Sequence, residues 1–414
     1  MERTVLHSDL NNFFASVECF LDPSLNGHPV AVTGDPELRH GIILAKNYEA
    51  KKYNIKTGEP IFQAKQKCPD LVCVRPHYDK YAEFSAAAKK IYSDYTDLVE
   101  SYGIDECWLD VTHSRRLFGD GKKVADEIRS RIKRELGITV SVGVSFNKVF
   151  AKLGSDMKKP DATTVIDIDH FKEIVWPLPV GDLLYVGRAS GVKLRSYGID
   201  TIGKLAVTPL ETMRYFLGKT GEMLWNFANG YDMSPVSNIA AKSLLKSVSC
   251  GNTSHRDLVT DEDIRCALYP LCTKVSERLR KYGFRCRTVA LSVRDFQLSS
   301  YERRCKLIVP CRTSREIFNA AYGLFLKNHK SGKPVRSLSV QASDLIYTEE
   351  EQLSLDPEIW KIQKREILER EFDLLNERYG KNTIYRALLM TDPEIAGLHV
   401  HSGKENILPG RIKM

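Results

Sequence analysis

The chain has 414 residues, 43% of them hydrophobic and 28% charged, which is typical of a globular protein of roughly two to four domains. No apolar run is long enough to cross a bilayer, and the first residues do not open a signal peptide, so we expect no membrane partner. The ten cysteines show neither a C-x-x-C pair nor zinc-ligand spacing and are expected to be free thiols in a reducing cytoplasm.

The net charge of +8 is concentrated in one segment. Residues 242–344 contain 20 Lys and Arg residues against 9 Asp and Glu residues, a surplus of 11, so the rest of the chain is slightly acidic. A basic module joined to a near-neutral one is typical of a protein that binds a phosphate backbone. The alternative, a generally basic surface, would not concentrate the charge in this way.

The first predicted elements are a strand that ends in an acid and a helix that follows it. Residues 3–9 form the strand, with Asp9 at its carboxyl end. The helix begins after Asn11 or Asn12, either of which is a suitable N-cap.

A small hairpin and a second helix are predicted next. Residues 29–33 and 41–45 form the hairpin, and the helix starts at about Asn47. Tyr48 and Lys51 lie one turn apart on it, so one face can present a hydroxyl and an ammonium group to a phosphate.

Two adjacent acids, Asp105 and Glu106, lie in a predicted hairpin over residues 100–112, next to a bend at Gly103. Adjacent side chains of a strand point in opposite directions, so a tight turn is needed before both carboxylates can reach one ion. Most such pairs are solvated turns, and this pair alone does not establish a site.

Helices at about 78–98 and 122–136 and a strand at 138–144 complete a β-α-β-β-α-β order, the split βαβ sandwich. In this order the first strand and the hairpin can lie side by side, which brings Asp9 to the two adjacent acids. Three carboxylates can hold two Mg²⁺ ions about 4 Å apart, the arrangement that serves in-line displacement at phosphorus.

Several sequence blocks occur together in the order and spacing of one known family. They are Ser-Asp-Leu-Asn-Asn-Phe-Phe-Ala-Ser-Val-Glu at 8–18, Asn-Tyr-Glu-Ala at 47–50, Tyr-Gly-Ile-Asp-Glu at 102–106 and Val-Gly-Val-Ser-Phe-Asn-Lys at 142–148. Over nearly its whole length the chain resembles the Y-family translesion DNA polymerases of the bacterial type. Several blocks in order are far more specific than one short motif.

The resemblance implies an α+β, right-hand polymerase fold with a ferredoxin-like (split βαβ) palm, small fingers, a helical thumb and an α/β little-finger domain. The implied boundaries are 1–18 and 77–166 for the palm, 19–76 for the fingers, 167–235 for a helix-hairpin-helix thumb, 236–247 for a linker, 248–347 for the little finger and 348–414 for a tail with a clamp-binding-like peptide and a helix.

The implied activity is template-directed, low-fidelity DNA synthesis opposite damaged template, with nucleotidyl transfer to a primer 3′-OH. Asp9, Asp105 and Glu106 would be catalytic and hold two Mg²⁺ ions, with the backbone carbonyl of Leu10 as a further ligand. Asn11 is a departure, because relatives often carry a second Asp there. No segment is left to house a proofreading exonuclease.

The implied partners are primer-template DNA, deoxynucleoside triphosphates and a sliding clamp. We expect a monomer in the bacterial cytoplasm, associated with the nucleoid.

The resemblance also assigns the contacts to the incoming nucleotide and the template. The expected nucleotide-binding residues are Phe13, Phe14, Tyr48, Lys51 and Lys159, with Phe14 discriminating against the ribose 2′-OH; Ile42 and Leu44 would contact the templating base. Lys51 replaces the usual Arg and loses its bidentate fork. From its position alone, Lys159 would be a lysine that balances a helix C-terminus.

DNA contacts are expected at two glycine-bearing turns of the thumb and along the strands of the basic module. These residues are Gly187, Gly191 and Gly218 in the turns, and Arg285, Arg287, Arg303, Arg304 and Lys306 in the strands. The alternative is that glycine only serves the turns and that about half of the basic residues are solvated.

Gln352, Leu353 and Leu355 resemble the peptide by which bacterial polymerases dock on the sliding clamp. Asp356 stands where the usual pattern has Phe, and losing an aromatic anchor should reduce affinity. The alternative is a plain connector whose leucines pack on the following helix.

Three other functions are consistent with parts of the sequence. A non-catalytic DNA-binding recruitment relative would lack a metal carboxylate, but all three are present. A palm-fold nucleotide cyclase has no need for the basic module. A metal-dependent nuclease is less compatible with Phe13 and Phe14 beside the carboxylates.

Overall fold

The structure is a computed structural model that describes residues 3–35, 41–241, 245–347, 357–380 and 383–397. These residues divide into two compact units, the first ending at Ala241 and the second comprising the later described residues. None of the helices within these ranges has the length and apolar character needed to span a bilayer.

The first unit opens with the predicted strand and helix, followed by a small three-stranded domain. The elements are β1 (Val5–Leu10), α1 (Phe13–Leu21), β2 (Val30–Thr33), β3 (Ile43–Lys46), α2 (Tyr48–Lys51), α3 (Ile61–Lys67) and β4 (Val72–Val74). β2 is central, antiparallel to β3 and parallel to β4. Asn47 caps α2 by accepting the N–H of Ala50 at 3.0 Å, as its sequence position predicts.

The central sheet of the first unit is built from the following segment. It contains α4 (Tyr78–Ser93), β5 (Val99–Ser101), β6 (Glu106–Asp110), α5 (Arg115–Phe118), α6 (Gly121–Leu136), β7 (Val140–Ser145), α7 (Lys148–Met157) and β8 (Thr163–Ile166). The sheet order β5-β6-β1-β7-β8 contains the predicted split βαβ sandwich, with β1 between β6 and β7 and antiparallel to both. The fifth strand, β8, was not predicted, and the helix expected at 78–98 ends at Ser93 because the chain must turn there to enter β5.

Five short helices complete the first unit. They are α8 (Phe171–Val175), α9 (Arg188–Ser196), α10 (Ile202–Val207), α11 (Leu210–Leu217) and α12 (Lys219–Ala228). They enclose their own apolar core, which includes Leu194, Ile202 and Leu224, all without solvent exposure. This is the all-helical region expected at 167–235.

The second unit is a four-stranded antiparallel sheet with two long helices on one face. Its elements are β9 (Ser247–Leu258), α13 (Asp261–Lys281), β10 (Phe284–Asp295), β11 (Ser300–Cys311), α14 (Ser314–Asn328) and β12 (Val335–Tyr347), with sheet order β11-β10-β12-β9. Alternate strand residues such as Leu291, Val293 and Val340 pack beneath the helices. The other face carries small hydroxyl side chains and no helix in the described residues.

The end of the chain packs onto this second unit. α15 (Pro357–Tyr379) and α16 (Pro393–Ala396) follow β12. Ile362, Leu389 and Ile395 join the apolar core of the unit, and Glu366 and Glu369 form ion pairs with arginines of the sheet and of α13. The helix expected in the 348–414 tail is therefore present, and it packs as a layer of the second unit.

All ten cysteines lie in the described residues and none forms a disulfide, as their spacing predicted.

Candidate active site

The antiparallel register between β1 and β6 brings the predicted acids together. Asp9 is paired with Glu106, and the turn that precedes β6 places Asp105 beside the end of β1, where its carbonyl accepts the N–H of Leu10 at 3.0 Å. The turn itself is closed by the N–H of Tyr102, which donates to the Glu106 carbonyl at 2.9 Å. The turn before β6 thus brings the carboxylates of Asp105 and Glu106 close to that of Asp9 on the neighbouring strand β1.

A lysine that the sequence analysis did not identify lies between these acids. Lys152 of α7 places its ammonium group 3.2 Å from Asp9 Oδ2 and 2.8 Å from Glu106 Oε1. Lys159, which was predicted, lies 2.8 Å from the same Asp9 oxygen, and Asp156 contacts both lysines. Asp9 and Glu106 therefore share one cationic partner, the ammonium group of Lys152.

The pKa values reflect this crowding of buried charge. Burial raises the pKa of Glu106 to about 7, despite the opposing effect of Lys152. Burial and the charge of Asp9 also raise the pKa of Asp105. Burial alone would raise the pKa of Asp9, but the charges of Lys152 and Lys159 outweigh it and lower that pKa. The site has more negative charge than the two lysines neutralise.

These residues fit a divalent cation by their chemistry. Carboxylate oxygens are the hard ligands that Mg²⁺ prefers, and two of them already share one cationic partner. Within the described ranges, no group of three His, Cys, Asp or Glu side chains is spaced to hold an ion, and Lys152 and Lys159 contact the oxygens of Asp9 and Glu106. An ion would have to take over contacts that the ammonium groups now make.

The predicted phosphate-binding residues lie next to this cluster. The Tyr48 hydroxyl oxygen is buried and has no hydrogen-bond partner in the described part of the chain, and the Tyr48 pKa is raised by burial. Lys51 Nζ lies 4.3 Å from the centre of the Tyr48 ring. Burial and the nearby charges of Lys46 and Lys159 lower the pKa of Lys51, so Lys46 is a further member of this basic group that sequence reasoning missed.

Phe14 and Phe13 have different environments, although both were expected to contact a nucleotide. Phe14 is partly exposed and stacks on Tyr81, with ring centres 4.2 Å apart. Phe13 is buried in the core of the central sheet, at 3% exposure. Because its ring lies in the core, a contact of Phe13 with a nucleotide would have to be made by its backbone N–H, in the first turn of α1.

Ile42 and Leu44 lie on one side of the chain entering β3, opposite the fully buried Ile43. Ile42 is exposed and Leu44 is half-buried, so both can meet a ligand over the three-stranded sheet. Strand alternation explains this placement.

The thumb glycines shape turns, but their own amides are occupied. The N–H of Gly187 donates to Tyr185, that of Gly191 to Gly187, and that of Gly218 to Arg214. Gly191 is also buried within α9. At these turns, a DNA phosphate would therefore be contacted by N–H groups of the residues that open α9 and α12, the ends at which a helix leaves N–H groups without partners in its own turns.

The five basic residues of the second unit do not share one surface. Arg285 is only partly exposed and forms an ion pair with Glu366 at 2.9 Å, so its side chain is engaged within the second unit. Arg304 and Lys306 pair with Ala290 and Thr288 on the open face of the sheet, whereas Arg303 pairs with Leu291 and points toward the helical side.

Arg287 is exposed at the bulge between β10 and β11. Arg294 was missed: it lines a depression of about 460 Å³ on the open face, together with Ser292, Ser337 and Ser339.

Gln352, Leu353 and Leu355 lie outside the described residues, so their expected clamp contact has no structural account.

Family models match most of the chain. The impB/mucB/samB family model matches residues 8–156, its C-terminal domain matches 245–355, and a model described as the thumb domain of DNA polymerase-iota matches 181–232. These three matches fall in the sheet-forming part of the first unit, in the second unit and in the helices that complete the first unit.

Curated relatives match over nearly their whole length. The chain is 51% identical over 393 residues to a DNA polymerase IV of Acetivibrio thermocellus, covering 95% of this chain and 98% of the relative. It is 38% identical to a DNA polymerase IV of Moorella thermoacetica, covering 94% and 96%, and 35% identical to DNA polymerase IV 1 of Bacillus subtilis, covering 95% and 94%.

The fold is also that of a solved structure. A Y-family DNA polymerase chimera of Dbh and Dpo4 superposes with a TM-score of 0.73 at 23% identity, covering 83% of this chain and all of that one. The right-hand α+β fold expected from the sequence is confirmed, as is the resemblance to the bacterial translesion type. The chain belongs to the Y family of DNA polymerases.

Proposed function

We propose that this Y-family polymerase carries out low-fidelity translesion synthesis in the bacterial cytoplasm, using Asp9, Asp105 and Glu106 as its catalytic carboxylates. The observation that carries the proposal is the β1–β6 register, which pairs Asp9 with Glu106. Both carboxylates contact the same ammonium group, that of Lys152. Primer extension on damaged and undamaged templates, with Mg²⁺ and each nucleotide alone, tests it. A nucleotide cyclase or a non-catalytic relative is not favoured, because the matches include the thumb and the basic module.

The carboxylates and the Leu10 carbonyl would hold two Mg²⁺ ions. When bound, these ions activate the primer 3′-OH and neutralise the pyrophosphate that leaves. Lys152 and Lys159 would give up their contacts with Asp9 and Glu106 when the ions bind, which frees both ammonium groups for the substrate phosphates.

Tyr48, Lys51, Lys46 and Lys159 would bind the triphosphate. The unpartnered Tyr48 hydroxyl supports this assignment, since a buried polar group without a partner costs stability unless a ligand satisfies it. The N–H groups of Phe13 and Phe14 in the first turn of α1 add donors at a helix N-terminus. Ile42 and Leu44 would cover the templating base.

Phe14→Ala is expected to reduce discrimination against ribonucleotides by roughly a hundredfold, because the ring would no longer block a 2′-OH. Single-nucleotide kcat/KM values for matched deoxy- and ribonucleotides measure it. Phe20→Ala, an exposed phenylalanine of the same helix, is the matched control and should discriminate like the parent. Unchanged discrimination in Phe14→Ala would refute the gate.

The open face of the second unit would bind the DNA backbone through Arg304, Lys306 and Arg294 without sequence preference. Lys306→Ala should weaken duplex binding and make the slope of log affinity against log salt less steep by about 1, because one fewer counterion is released. Arg303→Ala removes the same charge from the opposite side of the same strand. Equal losses in both variants would contradict the assignment of a binding face.

A sliding clamp is proposed as a partner through Gln352, Leu353 and Leu355, and the enzyme as a monomer. A tether raises the local concentration of a polymerase beside the primer without changing its active site. Changing both leucines to alanine should therefore lower clamp-stimulated primer extension and leave clamp-free extension unchanged. Loss of both activities, or of neither, would refute the tether.

A further inference from the structure

Glu18 is a buried carboxylate that the proposed reaction does not use. It lies in α1 at 4% exposure and is surrounded by hydrogen-bond donors. The hydroxyl of Tyr81 donates to it, the backbone N–H of His77 donates at 3.2 Å, and the His77 Nδ1 lies 2.9 Å away. Because a buried carboxylate is costly unless its oxygens are matched, this set of donors fixes the carboxylate in place.

Tyr81 connects Glu18 to the proposed sugar contact. Its ring is stacked on Phe14 with an interplanar angle of 11°, and its hydroxyl end is held by Glu18. Tyr81 has no solvent exposure, and Tyr78 packs edge-on against both rings. Phe14 therefore cannot move toward Tyr81 unless Tyr81 itself moves.

The helix geometry makes this arrangement rigid. Phe14 and Glu18 are four residues apart in α1, so they lie on the same face, toward α4. His77 is the N-cap of α4, and Tyr78 and Tyr81 belong to its first turn. The Glu18 charge lies at the positive end of this helix, which is a favourable position. One carboxylate thus holds the start of α4 and the ring that supports Phe14.

We propose that Glu18 is a positioning residue that sets sugar discrimination: by holding Tyr81 and the start of α4, it fixes the Phe14 ring against the nucleotide sugar. The inference rests on the proposed role of Phe14 as the sugar gate. A misplacement of about 1 Å is enough to change what an active site accepts. A side chain that excludes one hydroxyl group from the site therefore has to be held rigidly in position.

Two conservative variants test the support without removing the gate. Tyr81→Phe deletes one oxygen, and Glu18→Gln keeps the shape of the side chain but lacks a second acceptor for His77. Each should lower the ratio of deoxy- to ribonucleotide kcat/KM by roughly threefold to tenfold, the effect of one lost hydrogen bond. The kcat/KM for deoxynucleotides should stay within about twofold of the parent.

A matched control lies on the same helix. Tyr92 of α4 is also buried, and its hydroxyl is bonded to Ser8 at 2.8 Å rather than to Glu18. Tyr92→Phe should keep the parent ratio. The double variant Phe14→Ala/Tyr81→Phe should discriminate no worse than Phe14→Ala, because Tyr81 acts only through Phe14.

The outcomes separate the inference from the function on which it rests. If Phe14→Ala loses discrimination while Tyr81→Phe and Glu18→Gln keep it, the gate stands and Glu18 has no positioning role. Additive losses in the double variant also overturn the inference. If Phe14→Ala keeps the parent ratio, the gate and its support are both refuted. Should Glu18→Gln fail to fold, Tyr81→Phe decides alone.

Discussion

Replacing Glu106 with alanine will slow primer extension by at least about a thousandfold and leave DNA affinity nearly unchanged. Glu106 lies 2.8 Å from Lys152 and is paired in register with Asp9, so it belongs to the charge cluster and not to a DNA-facing surface. Metal stabilisation of the transition state contributes several kcal/mol, and its loss appears in the turnover rate. Single-turnover extension and duplex binding, measured on the same preparation, separate the two effects.

The control for this variant is Glu135→Ala. Glu135 is an exposed carboxylate of α6 whose ion pairs are with Arg131 and Arg134 and not with the lysines of the cluster. Exposed pairs of this kind contribute little, so extension by the control should match the parent. A Glu106→Ala enzyme that turns over at the parent rate would show that the site has been assigned to the wrong acids.

The convergence of the acids could be predicted because it follows from topology. The split βαβ order places the first strand beside the hairpin, and Asp9 and Glu106 each lie at a strand end. A period-2 pattern then decides which side chains share a face. The pattern does not predict which charged side chain each acid contacts in the folded protein.

Lys152 shows the limit of reasoning from local sequence. A lysine in a helix is most often solvated, and nothing near Lys152 in the sequence indicates an acid 143 residues earlier in the chain. A signal was present in the i, i+4 spacing of Lys152 and Asp156, which is also common on surface helices. The sequence therefore predicted which acids lie at strand ends, but it did not predict which charged side chains pair through tertiary contacts.

The same limit applies to the partner of Arg285. Its position on a strand of a strongly basic module is typical of a phosphate contact, but its partner Glu366 lies 81 residues later, in a helix read as part of a tail. That helix brings Glu366, Glu369 and Asp373 to arginines of the module. Part of the positive charge counted in the sequence is therefore neutralised inside the second unit.

Glu366→Ala is expected to destabilise the second unit by roughly 3–5 kcal/mol, because it leaves the buried Arg312 and the partly exposed Arg285 without their counter-charge. Glu366 is 3% exposed, and its oxygens lie 2.6 Å from Arg312 Nε and 2.9 Å from Arg285 Nη2. For a unit of this size, the melting temperature should fall by roughly 10 °C. Thermal unfolding followed by circular dichroism, with limited proteolysis of α15, measures the change.

The pH dependence distinguishes an ion pair from simple packing. Burial alone would raise the pKa of Glu366, but Arg312 and Arg285 outweigh it and lower the pKa below its ordinary value of 4.5. A carboxyl whose pKa is lower in the folded state adds stability that is complete above its unfolded pKa and is lost as the pH falls through the folded one. The difference in stability between the parent and Glu366→Ala should therefore become smaller below pH 4.5.

Glu371→Ala, on the exposed side of the same helix, should change stability by less than about 0.5 kcal/mol. If Glu366→Ala melts like Glu371→Ala, α15 is a loosely attached tail, and Arg285 returns as a candidate DNA contact.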